Sequence, residues 1–201
     1  MQLKEPAPAK VNLALHVRGK LPDGRHRIET AFAFCTDGDE VAGRKAEDLT
    51  LRVAGPFAGE LSDSDDNLVL RAAKALREHA GVAKGAALTL TKKLPVASGI
   101  GGGSPDAAAA LRLLTRMWGV DPSRATEVAP SLGADVPACL LSMTARGEGP
   151  GDELQLIEAG VSDMPILLVN PRVSLSTADV FGAWNGEDKG PLGDWRAARG
   201  G

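Results

Sequence analysis

The stretch with the clearest chemical meaning is "PVASGIGGGSPDAAAALRLL", Pro95 to Leu114. Glycines at 99, 101, 102 and 103 let successive backbone N–H groups converge on one point, forming an anion nest. A helix is expected where the nest ends, with Ser104 as N-cap and Pro105 at the first helical position, where a missing N–H costs nothing. Its positive end then faces the loop, so the pair suits a polyphosphate held by main-chain donors. Two common phosphate motifs fail. No lysine follows these glycines until Lys189, and counted from Gly99 or Gly101 the third glycine of G-x-G-x-x-G is replaced by Ser104 or Asp106. A flexible glycine turn before an ordinary helix is the alternative reading.

Two further stretches carry polar groups of the right kind. "PAKVNLALHV" alternates with a two-residue period, so Lys10, Asn12, Ala14 and His16 point one way and Val11, Leu13, Leu15 and Val17 the other. Lys10 and Asn12 can therefore look into a cleft together, or Lys10 is a solvated strand lysine. "LGADVPACLL" sets Asp135 between a Gly-Ala turn and Val136-Pro137, where it is either a helix N-cap or an acid available for chemistry.

These groups need elements to position them. "LPDG", Leu21 to Gly24, is a turn, since Pro22 presets φ and Gly24 accepts a positive value, so a second strand through Ile28, Phe32 and Phe34 folds back as a hairpin. Asp48 to Val53 reads as a strand ended by Gly55-Pro56. A helix capped by Asp65 or Asp66 follows, with Leu68, Ala72, Ala75, Leu76 and His79 on one face and a stop at Gly81. "AALTLTKKL" is a strand leading into the glycine loop, and the helix beyond it anchors through Ala107, Ala110, Leu111, Leu114, Met117 and Trp118. Short helices are expected from Asp121 or Ser123 and through "ADVPACLLS". "GEGPG", Gly147 to Gly151, marks a domain boundary or a sharp hairpin. "PILLVNP" suits a buried strand. "SLSTADVFGAW" opens a helix with Ser176 and Asp179 in capping-box spacing. The order of elements argues for an α+β fold.

Composition narrows the partners. The net charge is −3, aromatic residues are 3% and there is no Tyr, so neither the basic footprint nor the stacking platform of a nucleic-acid binder is present, and a small-molecule ligand is expected. Cys35 and Cys139 match no disulfide framework or zinc spacing and read as apolar fillers. The N-terminus has no apolar signal segment and no apolar run reaches membrane-spanning length, which places the expected protein in the cytoplasm, without a membrane partner, as a monomer or weak homodimer.

Taken together, "PAKVNLALHV", "LPVASGIGGGSPDAAAAL" and "LGADVP" resemble the N-terminal strand, phosphate loop and catalytic loop of the GHMP small-molecule kinases. The resemblance runs from about Pro8 to Trp195. It implies a GHMP kinase-like α+β fold, with a ribosomal-protein-S5-domain-2-like N-terminal domain over residues 1–150 and a partial α/β-plait domain over 151–201. It also implies ATP and Mg²⁺, with Pro95, Val96, Ala97, Ser98, Gly99, Ile100, Gly101, Gly102, Gly103, Ser104 and Pro105 around the nucleotide. Asp135 would accept the acceptor hydroxyl's proton and Lys10 would stand beside it. The stretch "PAKVNLALHVRGKLPDGRHRIET" is most similar to the branch that phosphorylates the 2-hydroxyl of a cytidylylated methylerythritol in non-mevalonate isoprenoid synthesis. That branch implies cytidine recognition by His26 and Phe181 beside Gly24, with Asn12, Ser176 and Thr177 as hydroxyl or phosphate contacts.

The chain departs from the pattern in places. Arg25 stands where an aromatic is usual, and its guanidinium plane can still stack on a base. Pro105 replaces a small residue, removing one N–H. The sequence stops before the fuller second domain that the resemblance implies, so Ile166 to Val169 would be short of cover. A non-catalytic nucleotide-binding fragment, or a homoserine or mevalonate kinase, are the competing expectations.

Overall fold

The structure is a computed structural model, and it describes residues 2–61, 66–96, 102–158, 160–170 and 177–193. The hairpin predicted from the Leu21 to Gly24 turn is its spine. Strand β1 (Leu3–Lys20) pairs antiparallel with β2 (His26–Ala46), and the turn closes through Gly24 N to Leu21 O at 3.0 Å with Gly24 at φ 87°. Strand β3 (Leu49–Ala54) leads to α1 (Leu68–His79) and returns as β4 (Gly85–Thr91), parallel to β3. Helices α2 (Gly103–Trp118), α3 (Pro122–Leu132) and α4 (Val136–Leu141) follow, then β5 (Ala145–Glu148), β6 (Glu153–Leu156) and α5 (Thr177–Gly182). The sheet order is β3-β4-β2-β5-β6, with β1 along β2. The long β2 strand thus carries β1 on one edge, and β5 and β4 on successive parts of the other.

Helix α2 is the centre of the core. Pro105 to Leu111, Leu113 to Thr115, Met117 and Trp118 are all buried, because α2 is packed by β1 and β2 as well as by α1, α3 and α4. Four consecutive alanines, Ala107 to Ala110, let that many elements approach one helix. Cys139 joins this core; burial pushes its thiol up to about 12, so it is an inert filler, while Cys35 is half-buried.

Several elements differ from the sequence expectation. Helix α1 is capped by Asn67, which accepts from Val69 N at 3.0 Å, so Asp66 lies one residue too early; Asp65 is outside the described residues. Helix α2 starts at Gly103 with Gly102 at the cap and no side-chain capping bond, so neither Ser104 nor Pro105 occupies its expected position. Pro105, the third helical residue, still sacrifices no hydrogen bond, because the first four helical N–H groups have no intrahelical acceptor. Asp121 caps α3 as expected, through Ser123 N at 2.8 Å. Gly147 to Gly151 contributes to a hairpin, with β6 antiparallel to β5. Val11, Leu13 and Val17 are half-buried and Leu15 is exposed, so the apolar parity of β1 does not face the core.

The largest difference concerns "PILLVNP". Residues 165–170 form no strand, and 165–169 lie exposed, with Leu167 at 86% and Val169 at 81%. An apolar run becomes a buried strand only where neighbours supply ladder partners and a covering layer, and the described residues supply neither. No helix among the described residues is long and apolar enough to cross a membrane. The contrast between the two apolar settings is measurable by urea denaturation. Leu76→Ala, at a fully buried α1 position, is expected to cost about 2–5 kcal/mol. Leu167→Ala is expected to stay within about 0.5 kcal/mol of the parent. A cost at Leu167 approaching that at Leu76 would show that the 165–170 run is buried after all.

Candidate active site

Lys10 is the residue around which the site is built. Its register along β2 is irregular on both sides, with shifts between Pro8 and Lys10 and between Asn12 and Ala14. Such bulges re-aim side chains, and here Ala9 and Lys10 are buried in succession. Lys10 Nζ donates to Asn12 Oδ1 at 2.8 Å and to Asp135 Oδ2 at 2.8 Å, and it lies 5.2 Å from the Phe32 ring centroid. Asn12 is oriented in turn by donating Nδ2 to Thr30 Oγ1 at 2.7 Å, whose hydroxyl donates to the Ala14 carbonyl at 2.8 Å. A buried ammonium is thereby given two acceptors in fixed places.

Asp135 stands at the cap position of α4, but with φ −84° and ψ −13° its side chain makes no capping bond. The carboxylate turns to Lys10 instead and remains 37% exposed where the ammonium is only 5% exposed. That asymmetry leaves the acid reachable from solvent while its partner is fixed. The N-cap alternative for Asp135 is thus set aside by the direction of its side chain.

Of the predicted nucleotide residues, Pro95 and Val96 precede the loop, and Val96 N donates to Glu60 Oε2 at 2.9 Å. Gly102, Gly103, Ser104 and Pro105 form the start of α2, while Ala97, Ser98, Gly99, Ile100 and Gly101 lie outside the described residues. Helix α2 packs against both β1 and α4, the carriers of Lys10 and Asp135. At the other end of the hairpin, His26 stacks on Phe181 at 5.0 Å between centroids, and Trp184 meets the His26 ring edge-on at 5.6 Å. His26 Nε2 is buried without a partner among the described residues. Trp184 was not anticipated, although its three-residue spacing from Phe181 in a helical stretch places both on one side. The segment carrying these rings is tied to the hairpin by Arg18 Nε to Asp188 Oδ1 at 2.7 Å, Leu192 N to Glu29 Oε2 at 2.8 Å, and His16 Nδ1 facing the Gly190 carbonyl at 2.9 Å. Arg25 is exposed and held by Asp23 at 2.7 Å, outside the ring cluster. Thr177 opens α5 and is exposed, and Ser176 lies outside the described residues.

A second buried cluster sits where β4 runs into the loop, and sequence reasoning missed it. Lys92 Nζ bonds Asp39 Oδ2, donates to Asp106 Oδ2 at 3.0 Å and reaches the Gly102 carbonyl at 3.4 Å. Asp39 Oδ1 accepts from the backbone N–H groups of Lys93 and Leu94, so both ends of the glycine stretch are tied to this cluster. The signal was present: Lys92 continues the alternation of Ala86, Leu88 and Leu90, all buried. One ammonium neutralises one carboxylate, and burial pushes Asp106 up to about 8, with Lys92 pulling it down and the Asp39 charge pushing it up. An acid whose folded value lies above its unfolded one stabilises fully below the unfolded value and loses that contribution as pH rises through the folded one. The unfolding free energy of the parent is therefore expected to fall relative to that of Asp106→Asn between about pH 4 and about pH 8. Urea denaturation across that range checks it, and parallel profiles for the two proteins would contradict the buried-acid assignment.

This geometry can be set beside known proteins. Residues 67–143 match the family model for the GHMP kinases N terminal domain. The chain is 54% identical over 197 residues to a 4-diphosphocytidyl-2-C-methyl-D-erythritol kinase of Rhizorhabdus wittichii, covering 96% of this chain and 67% of the relative. It is 50% identical over 182 residues to the enzyme of that name from Parvibaculum lavamentivorans, covering 88% and 61%. A crystal structure of 4-(cytidine 5'-diphospho)-2C-methyl-D-erythritol kinase superposes with TM-score 0.63 at 35% identity, over 77% of this chain and 55% of that one. The fold alone is shared with a homoserine kinase from Cytophaga hutchinsonii, at TM-score 0.61 and 22% identity, over 90% of this chain and 59% of that one. The chain thus spans about two thirds of the length of the curated relatives it matches. With Lys10, Asp135 and the start of α2 arranged as described, this chain belongs to the GHMP kinases, in the group that bears the name 4-diphosphocytidyl-2-C-methyl-D-erythritol kinase.

Proposed function

We propose that the protein is a cytoplasmic small-molecule kinase that transfers the γ-phosphoryl group of ATP to the 2-hydroxyl of 4-diphosphocytidyl-2-C-methyl-D-erythritol, an isoprenoid precursor step. Residues 1–150 carry the nucleotide loop and the acid, and β6 beyond them continues the same sheet. The observation that carries this reading is the 2.8 Å contact between the Lys10 ammonium and the Asp135 carboxylate, joining residues from two different elements. The alcohol oxygen forms a bond to the γ-phosphorus as the bridging oxygen leaves with ADP, and Asp135 takes the hydroxyl proton. Such transfers proceed through a loose transition state, so a strong base is unnecessary, and positioning with charge stabilisation supplies most of the rate. Lys10 contributes a fixed positive charge beside the reacting oxygen, and the free N–H groups at the start of α2 face the phosphates.

Magnesium, when bound, neutralises charge on the transferring phosphates. Magnesium is commonly held by one or two carboxylates together with substrate phosphates and water, so the triphosphate would supply part of its ligand set. At the far end of the hairpin, a cytidine base would meet the His26 and Phe181 rings, and the buried His26 Nε2 would gain the partner it lacks among the described residues.

Incubation of the chain with ATP, Mg²⁺ and the cytidylylated substrate should release ADP. In Asp135→Asn, turnover should fall by about 10²–10⁴-fold while ATP affinity is nearly unchanged, as measured by calorimetry and coupled ADP release. Unaltered turnover in that variant removes Asp135 from the reaction. Nucleotide binding with no ADP from the parent chain supports a non-catalytic fragment, and preference for homoserine or mevalonate reassigns the acceptor.

A further inference from the structure

Helix α4 has only six residues, too few to be stable by itself, so something outside it must fix the direction in which Asp135 projects. The last carbonyls of any helix lack intrahelical donors; at the end of α4 Ser142 N donates to the Ala138 carbonyl at 2.9 Å and Ser142 Oγ to the Cys139 carbonyl at 2.6 Å, and one guanidinium ties the same turn to the rest of the molecule. Arg112, in the middle of α2, donates Nη1 to the Cys139 carbonyl at 2.7 Å, to the Leu140 carbonyl at 3.3 Å and to Ser142 Oγ at 3.2 Å. Its other edge is turned to β1: Nε donates to Glu5 Oε1 at 2.6 Å and Nη2 to the Pro6 carbonyl at 2.8 Å. Glu5 is itself buried and is shared with Arg116, which also donates to the Lys4 carbonyl at 3.2 Å.

These contacts make a closed frame. Strand β1 carries Glu5 and Pro6 at one point and Lys10 four residues on, while α4 carries Cys139 and Leu140 at one end and Asp135 at the other. The frame is closed on one side by Arg112 and on the other by Lys10 to Asp135. Arg112 reaches neither of the two reactive groups, but it joins the same two elements that they join. A planar fork with donors in fixed directions is suited to hold two backbones at once, which a lysine's single ammonium does less well.

We propose that Arg112 is a positioning residue for Asp135, clamping the C-terminal end of α4 to β1 so that the carboxylate at the other end is held against Lys10. The catalytic consequence rests on the kinase reading above, while the geometric consequence stands without it. Misplacement of a reacting group by about 1 Å costs on the order of 10²-fold in rate.

The test uses the full chain with Arg112→Met and Arg112→Lys, and Arg112→Met/Glu5→Gln to remove the carboxylate stranded by the first change. Geometry is read without catalysis from the Nζ resonance of Lys10 in ¹⁵N-lysine-labelled protein, assigned through Lys10→Arg. That signal should shift or broaden in Arg112→Met and in the double variant, and by less in Arg112→Lys, while the other lysine signals hold. Kinetically, kcat should fall about 10²-fold in Arg112→Met with KM for ATP within about twofold, and Arg112→Lys should recover part of the loss. An unchanged Lys10 resonance in the folded variants overturns the proposal, as does an active parent whose Arg112→Met variant keeps its kcat or loses only affinity for ATP. If Arg112→Met and the double variant both fail to fold, an unchanged Lys10 resonance in Arg112→Lys overturns it. A parent without turnover defeats the kinase reading and leaves the resonance to decide the clamp.

Discussion

A lysine ammonium withdrawn from water costs several kcal/mol unless carboxylates and other acceptors meet it, and this protein withdraws two. Lys10 is met by Asp135 and Asn12, Lys92 by Asp39 and Asp106. Each ammonium thereby fixes elements that are far apart in sequence: β1 with α4 in one case, and β2 with α2 at the end of β4 in the other. Removing either set of carboxylates would leave a buried charge uncompensated, which is more damaging than never having buried it. The positions of the start of α2 and of the candidate acid are consequences of this constraint more than of local propensity.

The two clusters hold different parts of the candidate site. Lys92 holds the Gly102 carbonyl and, through Asp39, the N–H groups of Lys93 and Leu94, so both flanks of the glycine stretch are pinned from beneath. Glycines give a loop freedom to wrap an anion, and that freedom is useful only if the ends are held. In the proposed reaction Lys10 and Asp135 would address the acceptor side, where charge must be placed in advance. Helix α2 connects the two: its first turn meets Lys92, and Arg112 two turns on meets the end of α4.

Much of this was legible in the sequence, for identifiable reasons. The hairpin followed from Pro22 and Gly24, and α2 from its apolar spacing, because both depend on local signals. The grouping of Lys10 with Asn12 also held. What alternation could not show was the irregular register on both sides of Lys10, since a register shift leaves no mark in residue types. Asp135 was readable as a helix cap or as an acid because the two use the same side chain, and only the tertiary position of Lys10 decides between them. Lys92 was readable and overlooked: it shares the parity of Leu88 and Leu90, but its charge suggested solvent. The run at 165–170 failed in the opposite sense, since hydrophobicity states a preference for cover and does not supply it.

The two ends of the candidate site are also held by forces of different character. Lys10 and Asp135 meet where the ammonium is almost out of reach of solvent, so mobile ions screen that pair weakly. The ring cluster at His26 depends on a segment with no buried residue in α5, fastened by Arg18 to a partly exposed Asp188 and by single backbone contacts at Gly190 and Leu192. Exposed ion pairs of that kind contribute little and weaken with salt. The segment at Phe181 and Trp184 is therefore held by a more exposed set of contacts than the acid and ammonium. In the proposed kinase reaction that difference would matter at the Lys10 and Asp135 end, because transition-state charge rewards donors already in place.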